Sequence, residues 1–276
     1  MIRIGMSTTC AYPWSPERAF ALAALAGFDG VEVMVTRNAV TQDAEALAAL
    51  SARTGMPILS IHAPVLLLTS FVWGRDPEVK VRKSAELARS VGASSVVVHP
   101  PFRWQHSYAD RFLDIVRATT AEYGVEIAVE NMFPWRLRGS SIPAYAPGWD
   151  PAEMDCDAAT LDFSHAALSG RDALQMAQQL GPRLRHVHLC DGSSSGDDGR
   201  IFDEHLPPGS GTQPVAETLA YLASSGWSGS IVAEVNTRRL RAEQDRLDLL
   251  RSTAEFAREH TRTTRPAGAL SAGSTP

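Results

Sequence analysis

The chain has 276 residues, 44% of them hydrophobic, enough to bury a large core as two ordinary domains or one large α/β barrel. A formal net charge of -5 argues against broad electrostatic capture of nucleic acid, although a local basic patch stays open. Cys10, Cys156 and Cys190 form no CxxC pair and suit a reducing cytosol, and no apolar run reaches membrane-spanning length. MIRIGMSTT carries no leader pattern, so the expectation is a soluble cytoplasmic protein.

The stretch IRIGMS predicts a first strand and SPERAFALAALAGF a helix, with Ser15 as N-cap, Pro16 in its first turn and Gly27 past its end. GVEVMV predicts the second strand, and TQDAEALAALSARTG a helix capped by Thr41. PILSIH with DPEVKVRKSAELARSVG, then SSVVVH with SYADRFLDIVRATTAEYG, repeat the unit. The fifth strand, VEIAVE, runs into a long connection. ATLDFSH then precedes RDALQMAQQLG, LRHVHL precedes PVAETLAYLASSG, and SGSIVAEV precedes LRAEQDRLDLLRSTAEFAREH. Strands so continuously apolar fit a parallel sheet covered by crossover helices. Eight such units predict a closed (β/α)8 TIM barrel over residues 1–261. The open doubly wound sheet is the rival, but no GxGxxG follows the first strand. Residues 262–276, RTTRPAGALSAGSTP, lack periodicity and are expected to be disordered.

Three connections, 63–76, 131–158 and 189–213, are long, and each leaves the C-terminal end of a strand, where barrel enzymes build their active sites. The same ends carry polar side chains one after another: His62, His99, Glu130, Asp162, His188 and Glu234. His165 follows three residues after Asp162, and FDEHLPPGSG adds Asp203 and His205. A lone histidine at a strand end is more often a hydrogen-bonded structural residue than a ligand. A ring of buried carboxylates, however, needs a compensating cation. The mixed His and carboxylate set suits a divalent metal: Zn, Mn, Co or Fe, with Mg also admitted.

The motifs SIHAP, VVVHPP, VEN, LDFSHAALSG, HVHLCD, FDEHLPPGSG and VAEVNT, in that order, resemble the xylose isomerase-like TIM-barrel superfamily up to about residue 240. That superfamily groups sugar isomerases and epimerases with the endonuclease IV type of apurinic endonuclease (AP endonuclease family 2). The resemblance implies one metal ion on Glu130, Asp162, His188 and Glu234. In the endonuclease branch it implies a cluster of three zinc ions, with His62, His99, His165, Asp203 and His205 as the further ligands.

Two chemistries follow. The first expectation is isomerisation or epimerisation of a sugar or sugar phosphate through an enediolate, with Glu130 and Glu234 dividing the proton transfers. His165, Arg136 and Trp104 are the substrate-binding candidates, with Arg138 as a further phosphate-binding candidate; for the arginines, plain surface solvation is the competing reading. The resemblance to ketose 3-epimerases is incomplete, since Arg136 and Ser194 stand where that group has a Glu and an Arg. The alternative is zinc-assisted phosphodiester hydrolysis, for which all nine ligand types are present, while the acidic balance favours a small phosphoester over DNA. A barrel that binds a metabolite without turning it over is a third possibility.

Overall fold

The computed structural model describes residues 1–65, 71–137, 140–142, 144–193 and 203–262, with backbone alone for 136, 137, 140 and 141. Eight strands form a closed barrel: β1 (Arg3–Ser7), β2 (Gly30–Met34), β3 (Ile58–His62), β4 (Ser95–Val98), β5 (Glu126–Glu130), β8 (Ala159–Asp162), β9 (Leu184–Leu189) and β10 (Ser230–Ala233). Every neighbouring pair is parallel, and β1 closes the ring against β10 with Ile4 opposite Ile231. Two short strands, β6 (Trp135–Leu137) and β7 (Ser140–Ile142), form an antiparallel hairpin inside the long connection after β5. The eight-stranded (β/α)8 barrel is thus the one the repeating pattern predicts.

The helices are α1 (Pro16–Ala26), α2 (Ala44–Thr54), α3 (Pro77–Val91), α4 (His106–Tyr123), α5 (Phe163–Ser169), α6 (Ala173–Leu180), α7 (Val215–Ser224) and α8 (Glu243–His260). In α1 the fixed φ of Pro16 suits the first turn, and Gly27, at φ 82°, ends the helix in the left-handed conformation that costs other residues a Cβ clash. Two expectations need correction. Thr41 does not cap α2; it lies in a 3-10 turn, and Asp43 is the cap, accepting from the Ala46 amide at 2.9 Å. The sixth barrel strand stops at Asp162, because the Asp162 carboxylate accepts from the His165 amide at 2.7 Å and so starts α5.

The core lies between barrel and helices: Phe20, Phe112, Phe163, Leu47 and Met176 are fully buried. A smaller cluster of Phe102, Met132, Phe133, Ala144 and Tyr145 packs the connection after β5. Cys10, Cys156 and Cys190 are buried free thiols. No helix among the described residues is long and apolar enough to cross a membrane. The expected tail falls, after Arg262, outside the described residues, as do Arg138, Ser194 and the side chain of Arg136.

Candidate metal centre

Because all eight barrel strands run the same way, their C-terminal ends share one rim. His62, Glu130 and Asp162 are the last residues of β3, β5 and β8; His99 and Glu234 follow β4 and β10 directly; His188 is next to last in β9. All six are buried, Glu234 and His99 at 8% exposure being the most accessible.

Glu130 is the hub. Its Oε2 faces His99 Nε2 at 2.9 Å and His62 Nε2 at 3.2 Å, and its Oε1 faces His188 Nδ1 at 3.1 Å and His165 Nδ1 at 3.2 Å. His188 Nδ1 also lies 3.0 Å from Glu234 Oε2 and 3.7 Å from Asp162 Oδ2. On the far side of His165, Asp203 Oδ2 sits 3.2 Å from His165 Nε2 and 2.9 Å from His205 Nε2. All nine residues expected as ligands therefore converge. One set of ligand atoms, from Glu130, Asp162, His188 and Glu234, lies within 4.8 Å of one another, as does a set from His62, Glu130 and His188 and another from Asp162, His165 and His205.

Backbone carbonyls select which imidazole nitrogen faces inward. His205 Nδ1 sits 2.7 Å from the Glu234 carbonyl and His165 Nδ1 2.9 Å from that of Asn131 as well as beside Glu130, an arrangement that favours a proton on Nδ1 and leaves Nε2 toward Asp203. His205 has φ 45°, an uncommon conformation for a non-glycine residue, retained where a side chain must be aimed. Asp191 fixes the loop that carries it. Its buried carboxylate accepts from the amides of Gly192, Gly209, Gly211 and Gln213 at 2.8 to 3.1 Å. A Cβ at Gly211 would lie 2.4 Å from Asp191 Oδ1, so only glycine allows that approach. Thr9 donates to Glu234 Oε1 at 3.1 Å, and Ser164 to Asp203 Oδ1 at 2.6 Å.

The protonation pattern marks the basin as a place that holds positive charge. Burial pushes the Glu130 carboxyl up, but His188, His99 and His165 outweigh it and hold it well below the usual range. For His188 burial acts downward, and Glu234, Glu32 and Glu130 overcome it, raising the imidazole well above its ordinary value. His205 is likewise pushed up to about 10 against its burial, chiefly by Asp203. Burial lowers His99, and its Nδ1 is a buried atom without a hydrogen-bond partner. Divalent ions would replace these imidazolium protons, and the oxygen and imidazole donors fit them.

Glu32 and His186 were not singled out by sequence. Both are fully buried below the rim, with His186 Nε2 at 3.0 Å and His188 Nε2 at 3.2 Å from the Glu32 carboxylate. The available signal was an acid inside the apolar run GVEVMV. Trp104 stands on the rim after β4, 48% exposed and stacked on Phe102 at 4.4 Å between centroids. The aromatic ring nearer the donors is Phe133, 5.2 Å from the His165 ring. Arg136 belongs to β6, where it pairs with Ser141.

An uncharacterized protein of Mycobacterium tuberculosis is 45% identical over 278 residues, covering 94% of this chain and 98% of its own length. One from Mycobacterium leprae is 42% identical over 279 residues, with coverage of 94% and 98%. Among solved structures, a xylose isomerase domain protein from Alicyclobacillus acidocaldarius superposes with TM-score 0.69 at 20% identity, covering 95% of this chain and 98% of that one. A 3-keto-D-glucoside 4-epimerase from E. coli gives 0.67 at 17%, and a D-tagatose 3-epimerase-like protein 0.64 at 22%, each covering 94% of this chain and 100% of its own. The profile of one family matches residues 20–260, so this chain belongs to the xylose isomerase-like TIM barrel family.

Proposed function

We propose that the chain is a multi-ion phosphoesterase acting on a small phosphate ester. The observation that carries this reading is the division of Glu130: one oxygen turns to His62 and His99, the other to the group of His188, Asp162 and Glu234. Donors spread over both oxygens of Glu130 would hold more than one ion, and His165, Asp203 and His205 would supply a further set. When bound, such ions polarise a phosphoryl oxygen and supply a nucleophile at neutral pH.

The chain's own residues then have distinct tasks. Glu130 and Asp162 hold the centre of the cluster, and Asn131 binds Asp162 through its backbone, donating to the carbonyl at 3.0 Å and accepting from the amide at 2.7 Å. Asp203 and His205, the more exposed members, face the mouth, where a phosphate would enter. The net charge of -5 favours a small ester over a polyanion, because nucleic-acid enzymes neutralise several phosphates with Lys or Arg.

The second reading, a sugar or sugar phosphate isomerase or epimerase, is favoured by the four-residue group Glu130, Asp162, His188 and Glu234, enough for one ion, and by the epimerases among the similar structures. It asks Glu130 to move protons, although both its oxygens already face imidazole nitrogens, which leaves Glu234 as the better placed base. Metal analysis of chelator-free protein, paired with two assays, separates the readings. Near three zinc ions per chain with cleavage of bis(p-nitrophenyl) phosphate or an abasic oligonucleotide supports hydrolysis. One ion with solvent deuterium entering a ketose supports the isomerase, and a protein that binds no ion defeats both.

A further inference from the structure

Four histidines of the cluster, His62, His99, His165 and His205, turn Nε2 to one of its carboxylates, and two of them rest Nδ1 on a backbone carbonyl: His165 at 2.9 Å and His205 at 2.7 Å. His188 is reversed. Its Nδ1 faces Glu130, Asp162 and Glu234, and its Nε2 points down the barrel to Glu32, 3.2 Å from Oε1 and 3.4 Å from Oε2.

Glu32 sits within β2, fully buried, and its side chain reaches the barrel interior. Ser60, its register partner on β3, donates to Oε2 at 2.8 Å. His186, two residues before His188 on β9, places Nε2 3.0 Å from the same oxygen without the alignment of a hydrogen bond, and both its ring nitrogens are otherwise unpartnered. A carboxylate in the centre of a barrel is expensive to bury unless it is paired, and Ser60, His186 and His188 are the groups that pair with Glu32. Among the described residues, His188 is the only candidate ligand at the rim that it touches.

We infer that Glu32 is a positioning residue: it fixes the Nε2 proton of His188, so that Nδ1 is the nitrogen offered to the ion, and its negative charge strengthens that nitrogen as a donor. A carboxylate behind a metal-binding histidine does this generally, and its loss weakens metal binding by about 10- to 100-fold. The inference rests on an ion occupying the Glu130, Asp162, His188 and Glu234 group and holds whichever chemistry that ion serves.

Chelator-stripped full-length wild type and Glu32→Gln are titrated with Zn2+ against a chromophoric chelator and with Co2+ followed by its visible spectrum. The expected result is wild-type binding, with one ion bound about 10- to 100-fold more weakly in the variant and an altered cobalt spectrum. Should Glu32→Gln not fold, 15N NMR of zinc-loaded wild type reads the tautomer directly, and the expectation is a proton on His188 Nε2 with Nδ1 bound. Equal affinity and spectra in the two proteins, or zinc on Nε2, overturn the role. So does an extra ion lost with Glu32, which would place a cation between Glu32 and His186 instead. Absence of binding to wild type is a different outcome, since it removes the metal reading itself.

Discussion

At Glu130 each carboxylate oxygen meets imidazole nitrogens, whereas Glu234 keeps one oxygen against Thr9 and remains 8% exposed. The two glutamates, symmetrical as sequence motifs, are therefore unequal in the fold. Glu234→Gln should lower turnover by more than the roughly 100-fold upper figure for losing an outer partner, while the metal-free form melts as wild type does. Full activity in that variant would remove Glu234 from the chemistry. Glu130→Gln should instead reduce the number of ions retained per chain, because it weakens two donor sets at once; elemental analysis after gel filtration reads this. The strand-end acids and histidines were legible as candidate ligands because each lies at or next to the end of an apolar run. Glu32 and His186 were not, because nothing in GVEVMV or LRHVHL says which way a strand residue faces until the barrel closes.

The described segment before α7 that carries Asp203 and His205 is tied to the end of β9 by Asp191, whose carboxylate accepts from the amides of Gly209, Gly211 and Gln213. Asp191→Ala would leave four backbone amides without their acceptor. The expected loss is about 3 kcal/mol of stability, read by denaturant melts, with the ion held by His165, Asp203 and His205 lost before the others. Retention of every ion at unchanged stability would show that the loop is fixed elsewhere. In the sequence nothing ties Asp191 to PPGSG; that its carboxylate gathers the amides of Gly209 and Gly211 is a result of tertiary approach, sealed by Gly211. The α2 cap illustrates the same limit locally, since Thr41 and Asp43 are both good cap residues and the 3-10 turn through Gln42 decides for Asp43.

On the scale of the whole barrel, cations bound only by the folded chain must stabilise it. At about 100 times the dissociation constant one ion adds about 2.7 kcal/mol. Chelation should then lower the melting temperature by about 5 °C or more, restored by zinc. An unchanged melting curve after full metal removal would contradict a structural contribution from the cluster. The effect would be global because the candidate donors come from six different barrel strands and the loops after them, so bound ions would tie together elements far apart in the chain.

The sequence by itself determined the eight-fold strand and helix pattern and the donor chemistry at the strand ends, since hydrophobic period and turn residues are local properties. Only the closed barrel decided which oxygen of Glu130 faces which histidine and that Glu32 stands behind His188. Those relations depend on where strands distant in sequence meet in space, and barrel closure fixes that separation to within a hydrogen bond's length.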